Sequence, residues 1–154
     1  DPKPENAKGC RGATLVAPNL QEAEQMTGLR IKNITSLERA GKTLRASLEC
    51  SYLLVTRGGE GMSLFGPRGS VTHIAAETRP VYDVTGAGDT VIAALSLAYG
   101  SGATMFEAAR LANLAGLTAV LKFGTAQVPR KELLRAIDQS GEHYWRKKGS
   151  RKTL

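Results

Sequence analysis

Cysteine, aromatic residues and long apolar runs are all scarce in this sequence. Its 154 residues include 2 cysteines, Cys10 and Cys50, and 5% aromatic residues. Neither cysteine has a His or Cys partner at the spacing of metal ligands, which argues against a zinc site and against a disulfide scaffold. No apolar run reaches the length of a membrane span, and the opening Asp1-Pro2-Lys3 does not resemble a signal peptide. We therefore expect a globular, cytoplasmic protein that does not bind membranes.

Positive charge is concentrated near the C-terminus, although the formal net charge of the whole chain is +7. The basic residues there are Arg146, Lys147, Lys148, Arg151 and Lys152. We divide the chain into a folded domain at 1–140 and a basic tail at 141–154. A solvated tail is favoured over nucleic-acid binding, because only Tyr144 and Trp145 accompany the charge as aromatic residues able to stack on bases.

The apolar pattern predicts strands and helices in alternation. Strands are expected at 14–17 and 52–56, and an antiparallel meander then continues through 62–65 and 70–75. Helices are expected from Asn19 to Gly28, from Thr35 or Ser36 to about 48, and at 91–98, 104–121 and 130–139. This order predicts an α/β layered fold with a mixed, mostly parallel sheet, part of whose edge is antiparallel.

The stretch Asp83-Val-Thr-Gly-Ala-Gly-Asp-Thr90 joins a glycine-rich turn and two carboxylates to a helix start. The first N–H groups of a helix have no partner within the helix and lie at its positive end, so an anion such as phosphate is favoured there. Glycines at Gly86 and Gly88 let the backbone approach that anion closely. Asp89 stands beside it, where a carboxylate can take a proton from an attacking hydroxyl.

Several other polar residues allow two interpretations. Asn19 and Glu22 have the spacing of a helix-capping box, which the spacing alone favours over a metal or substrate role. The glycine loop after Thr56 either serves only to turn the chain between two strands or contacts a nucleotide. Asn113 is either a core amide or a side chain that faces a ligand. Gly41-Lys-Thr43 matches the end of a Walker motif by chance, since no strand precedes it. His73 and His143 lack catalytic partners.

With these pieces placed, the chain resembles the C-terminal half of a ribokinase-like (PfkB) carbohydrate kinase, a three-layer α/β/α sandwich. Four segments carry the resemblance, in the order that the family has them. They are Pro18-Asn-Leu-Gln-Glu-Ala-Glu24, Leu54-Val-Thr-Arg-Gly-Gly-Glu-Gly61, Asp83-Val-Thr-Gly-Ala-Gly-Asp89, and Asn113 with Gly124-Thr-Ala-Gln-Val-Pro129. The third segment is highly specific, and each of the others is weak alone.

The resemblance implies a role for each candidate residue. Asp89 corresponds to the catalytic base, and the N–H groups of Gly86, Ala87 and Gly88 correspond to the anion hole for the transferring phosphoryl group. Asn19 and Glu22 correspond to a motif that organises Mg²⁺ and its waters near ATP, which reverses the preference for capping alone. The remaining matches are a nucleotide site of Thr56, Gly58, Gly61 and Asn113, and a monovalent-cation site, for K⁺, of Asp83 and Thr85. Lys3 is in reach of a phosphate.

Within the family, the segments 1–3, 11–19 and 81–89 are most similar to the kinases of bacterial ADP-heptose synthesis. This implies phosphorylation of heptose 7-phosphate at C1, with other sugar or nucleoside acceptors left open. Family members are about twice this long and carry most sugar-binding residues in the other half. We therefore expect a fragment, which by itself is either inactive or a non-catalytic nucleotide-binding module, and whose exposed sheet edge favours a homodimer.

Overall fold

The computed structural model describes residues 3–76, 85–122, 124 and 127–140. Within them the strands and helices follow one another in chain order. The strands are β1 (Leu15–Val16), β2 (Tyr52–Thr56), β3 (Met62–Phe65) and β4 (Val71–Ile74). The helices are α1 (Leu20–Thr27), α2 (Ile34–Ser47), α3 (Ala87–Gly100), α4 (Met105–Val120) and α5 (Arg130–Gln139), and short 3-10 helices lie at Pro4–Cys10, Gly58–Glu60 and Pro67–Gly69.

The described strands form one mixed sheet in the order β1-β2-β3-β4. β1 and β2 are parallel, with Leu15 opposite Tyr52, whereas β2, β3 and β4 pair antiparallel in sequence. The meander is confirmed, but the expectation of a mostly parallel sheet is wrong for these four strands. Two short turns, at Gly58–Glu60 and Pro67–Gly69, reverse the chain and leave β1–β2 as the parallel pair.

Alternate residues of β2 point into two different apolar clusters, one on each face of the sheet. Leu53 and Val55 pack in a cluster with helix residues such as Leu37 of α2. Leu54 packs in the other cluster, with Leu95 of α3 and Met105 of α4. Because successive side chains of a strand point to opposite faces, helices cover the sheet on both sides.

Polar side chains set the starts of three helices. Asn19 caps α1 and Thr104 caps α4, as the sequence predicts, and each cap forms a capping box, which was predicted for Asn19 alone. The start predicted for α2, at Thr35 or Ser36, is one or two residues late, because Asn33 is the N-cap and Ser36 is the third helical residue of its capping box. Both Asn and Ser are good caps, and sequence spacing did not separate them.

The buried position of α4 is also confirmed, since this helix packs against α3, α5 and β3. None of the helices in the described part of the chain combines the length and the apolar character needed to cross a bilayer. The Walker-like tripeptide lies inside α2, where Gly41 faces the ring of Phe65 so closely that a Cβ atom would overlap it. Gly41 therefore serves packing.

Candidate active site

A cleft of about 560 Å³ opens at the carboxyl ends of β1 and β2. Ligands of α/β proteins bind at this edge of a sheet, because the loops that leave the strands diverge there. Residues of the first 3-10 helix region, the α1 start, the β2 loop and the first turns of α3 line the cleft. They are Lys3, Ala17, Asn19, Leu20, Gln21, Glu22, Thr56, Arg57, Gly58, Gly88, Val91 and Ile92.

Asn19 and Glu22 meet in a reciprocal capping box at the start of α1. Asn19 Oδ1 accepts from the Glu22 N–H at 2.9 Å, and Glu22 Oε2 accepts from the Asn19 N–H at 2.8 Å. The capping interpretation is therefore confirmed. The second carboxylate oxygen, Oε1, lies 3.9 Å from Lys3 Nζ in the cleft, so capping uses one oxygen of Glu22 and leaves the other on the ligand side.

Backbone pairing holds the two strand ends against each other. The Thr56 N–H donates to the Pro18 carbonyl at 3.0 Å, and Asn19 and Thr56 form an isolated parallel bridge. This bridge fixes the distance between the α1 cap and the loop that follows β2. It is the reason that Thr56 and Gly58 share the cleft with Asn19 and Glu22.

The glycine turn begins α3, as the sequence predicts. Gly86 is the N-cap in the left-handed conformation, with φ of 75°, and it provides no side-chain cap. The first helical bond is donated by the Thr90 N–H to the Gly86 carbonyl at 3.0 Å. The N–H groups of Ala87, Gly88 and Asp89 precede that bond, so they lie at the positive end of the helix without partners inside it.

Of this turn, Gly88 lines the cleft and Asp89 is the next residue, exposed in the first turn of α3. An ideal Cβ at Gly88 would meet no atom within 4 Å in the described part of the chain. The backbone at Gly88 is thus open to a ligand. Gly86, Ala87 and Thr85 adjoin the cleft along the chain but do not line it.

Two of the residues predicted to bind nucleotide, Gly61 and Asn113, lie beside the end of β4 instead of lining the cleft. Gly61 has φ of 90°, and a Cβ there would overlap backbone atoms at Ile74 and Ala76. The side-chain amide of Asn113 donates to the Ala75 carbonyl at 2.8 Å. Both residues secure the chain where it leaves the sheet.

Some predicted features cannot be placed in the structure. Asp83, His143 and the tail at 141–154 lie outside the described residues. Among the residues that are described, no group of three or more His, Cys, Asp or Glu side chains is arranged to hold a metal ion. A magnesium site built on Glu22 would therefore depend on oxygens from the ligand and from water.

Among the cleft residues that the sequence analysis did not select, Arg57 is the charged one. Arg57 lines the cleft between Thr56 and Gly58, and its side chain is 8% exposed. A charged residue in a glycine turn is ordinarily exposed, so composition gave no reason to select it. Its position directly after a buried strand, next to a predicted ligand loop, is the signal that could have found it.

Comparison with known proteins identifies the family. A family model described as pfkB family carbohydrate kinase matches residues 2–132. The chain belongs to the pfkB family of carbohydrate kinases. A bifunctional protein HldE from Geotalea uraniireducens is 47% identical over 137 residues, which are 89% of this chain and 28% of that protein. The chain thus spans less than a third of the length of this curated pfkB relative.

Solved structures of a ribokinase and of a phosphofructokinase share the fold. Arabidopsis thaliana ribokinase, in complex with ribose and ATP, has a TM-score of 0.74 and 27% identity over 80% of this chain and 40% of its own. Escherichia coli phosphofructokinase-2, in complex with potassium, has a TM-score of 0.79 and 18% identity over 88% of this chain and 43% of its own. The chain therefore has part of a ribokinase-like α/β fold.

Proposed function

We propose that the protein containing this chain is an ATP-dependent sugar kinase that converts heptose 7-phosphate to heptose 1,7-bisphosphate in ADP-heptose synthesis. The observation that carries the proposal is the cleft, in which a helix N-terminus, an acidic cap and a glycine loop converge at the carboxyl ends of β1 and β2. Membership of the pfkB family supports phosphoryl transfer, and similarity to HldE proteins supports the heptose acceptor.

Asp89 and the glycine turn would perform the chemical step. The acceptor hydroxyl oxygen attacks the γ-phosphorus of ATP, the bond from that phosphorus to the β–γ bridging oxygen breaks, and Asp89 takes the hydroxyl proton. The N–H groups of Gly86, Ala87 and Gly88 lie at the positive end of α3, where they would stabilise charge on the transferring phosphoryl group.

Thr56 and Gly58 would bind the nucleotide from the floor of the same cleft. We assign Gly61 and Asn113 to the nucleotide site as well, Gly61 through the shape it gives to the loop and Asn113 from its place on α4. The Asn113 amide donates one N–H to Ala75 at 2.8 Å, which leaves its oxygen and its second N–H for a ligand.

Asn19 and Glu22 would hold Mg²⁺, mostly through waters. The residues fit such a site, because Glu22 is a cleft carboxylate with 12% side-chain exposure and Mg²⁺ commonly binds one or two carboxylates together with phosphate oxygens and water. Its contribution would be to neutralise charge on the phosphates. Asp83 and Thr85 would provide oxygen donors for a monovalent cation such as K⁺.

The complete kinase domain would be a three-layer α/β/α sandwich, to which residues 1–140 contribute the nucleotide side and 141–154 a basic tail. Its partners would be ATP and a sugar phosphate, in the cytoplasm, with a homodimer as the expected assembly. The Escherichia coli phosphofructokinase-2 structures include a tetramer, so oligomers occur on this fold.

An Asp89→Asn variant of the full-length protein tests the assignment of the base. The amide cannot accept the proton, so we expect turnover of heptose 7-phosphate to fall by about 100- to 10,000-fold, while calorimetric ATP affinity changes little. Asp138→Asn, an equivalent change at an exposed position of α5, should leave both quantities unchanged. Undiminished turnover in Asp89→Asn would refute its role as the base. If the wild type phosphorylated fructose 6-phosphate, ribose or adenosine faster than heptose 7-phosphate, the acceptor would be reassigned.

A further inference from the structure

Gly116 is a buried glycine inside α4, the helix that packs against α3. It does not belong to the described lining of the cleft. Glycine inside a helix is less favourable than alanine, because it loses more backbone freedom on folding. A glycine at this position therefore indicates that a neighbouring element needs the space that a side chain would fill.

The neighbour that needs this space is Val91 of α3. A Cβ atom at Gly116 would lie 2.7 Å from Cγ2 of Val91, whereas carbon atoms in contact are about 3.5 to 4.0 Å apart. Val91 is 7% exposed and packs in the same apolar cluster as Leu95 and Met105. A valine in a helix has one strongly preferred rotamer, so its methyl groups do not turn away freely. The close approach of the two helices here thus depends on the missing side chain.

Val91 connects this contact to the cleft. It lines the cleft together with Gly88, and it lies two residues after Asp89 in α3. A methyl group at Gly116 would require roughly 1 Å of displacement to restore an ordinary contact. Because hydrogen bonds between successive turns hold a helix together, a displacement of Val91 would also move the first turn of α3.

We propose that Gly116 is a positioning residue of the active site, which leaves room for Val91 and thereby sets where the first turn of α3 meets the ligand. The inference deepens the proposed kinase function and rests on it for the reaction that is positioned. Gly116 acts through Val91, on the N–H groups of the glycine turn and on Asp89. A misplacement of about 1 Å can lower the rate of an enzyme about 100-fold, so a small shift of this turn is sufficient to affect turnover.

A double-mutant cycle on Gly116→Ala and Val91→Ala in the full-length protein tests this inference. The kcat and the KM for Mg·ATP and heptose 7-phosphate are measured at a temperature at which each variant is folded. Gly116→Ala alone should lower kcat by about tenfold to 100-fold and change both KM values much less. In the Val91→Ala background, where Cγ2 is absent, the same change should lower kcat by less than about twofold.

Thermal unfolding separates positioning from a general loss of structure. Alanine favours the helix and has room once Cγ2 is removed, so the double variant should melt at the same temperature as Val91→Ala or higher. The matched control is Gly100→Ala at the end of α3, where a Cβ would meet no atom within 4 Å of the described chain. This variant should keep the kcat of the wild type.

Val91→Ala alone decides the question if Gly116→Ala does not fold, because it removes the methyl group from the same contact. A kcat lower by about threefold or more, with little change in either KM, would then support the inference. An unchanged kcat would overturn it. With Gly116→Ala folded, an unchanged kcat in that variant, or an equal loss of kcat with and without Val91→Ala, would also overturn the inference.

The kinase proposal fails separately, because binding of inorganic tripolyphosphate reports on the start of α3 without turnover. Gly116→Ala should weaken this binding by about threefold or more in calorimetry, and only where Val91 is retained. That pattern in a protein whose wild type transfers no phosphoryl group would refute the kinase function and leave the role of Gly116 standing. A wild type that neither turns over nor binds tripolyphosphate would refute both.

Discussion

Gly61 shows at the scale of one residue how the loop after β2 obtains its shape. Its φ of 90° lies in the region that disfavours side chains, and the backbone at the end of β4 occupies the space of a Cβ. The Arg57 N–H donates to the Gly61 carbonyl at 2.8 Å, which closes the loop. Loop shape and strand packing therefore depend on the same glycine.

Gly61→Ala should destabilise the protein by about 2 to 5 kcal/mol, since a positive φ and steric overlap are both unfavourable for alanine. Chemical denaturation of the full-length protein measures the change. The matched control is Gly59→Ala in the same loop, where a Cβ would meet no atom within 4 Å of the described chain and φ is not positive. Equal stability of the two variants would contradict this account.

Glu38 links two elements through its charge. Hydrogen bonds from Lys42, at 3.0 Å, and from His73, at 3.4 Å, lower the pKa of Glu38 below its ordinary value of 4.5. Ser63 in turn pairs with the other ring nitrogen of His73 at 2.8 Å. The interaction joins α2 to β4 across the face of the sheet.

The sign of the pH effect follows from that lowered pKa. The ionised carboxylate favours the folded state, so its contribution is complete above the pKa of the unfolded chain and is lost as pH falls through the lower, folded value. We expect Glu38→Gln to be less stable than wild type near pH 7, with a difference that shrinks as pH falls below 4.5, in urea titrations at a series of pH values. The exposed Glu5→Gln is the control, and a difference independent of pH would contradict the prediction.

At the scale of elements, the sequence was sufficient to predict the features that are determined by residues close together in the chain. The capping box of α1, the cap of α4, the meander and the glycine turn at α3 each depend on residues a few positions apart, and the sequence predicts all of them. Among the four described strands, fewer pairs are parallel than predicted, because strand direction depends on where a turn sends the chain. Residue spacing does not determine that path.

The site was predictable to a similar extent. Six predicted residues share the cleft, namely Lys3, Asn19, Glu22, Thr56, Gly58 and Gly88. Arg57 was missed because a charged residue in a glycine turn is ordinarily exposed, whereas its side chain is 8% exposed here. The placement of Gly61 and Asn113 beside β4 likewise depends on contacts made far apart in sequence.

At the scale of the molecule, β2 contributes buried residues to both apolar clusters, as does its neighbour β3. Leu53, Leu54 and Val55 are fully buried, whereas α5 has no buried residue. Regions that contribute to both sides of a sheet open only when most of the structure opens, and peripheral helices open at lower free energy.

Hydrogen exchange of the full-length protein should therefore be slowest at 53–55 and much faster at 130–139, as followed by mass spectrometry of the intact fold. α4, which packs between α3, α5 and the sheet, should resemble β2. Comparable exchange in α5 and β2 would show that α5 is held by contacts beyond the described residues.

The capping box at α1 has a consequence for how lineages of such proteins diverge. Asn19 and Glu22 cap α1 whether or not the protein binds a phosphate. A descendant that lost catalysis would therefore still be stabilised by these two residues. Gly88 has no comparable role in stabilising the fold, since a methyl group there would contact nothing in the described chain. Retention of a glycine at that position is consequently a better indicator of catalytic activity than retention of Asn19 and Glu22.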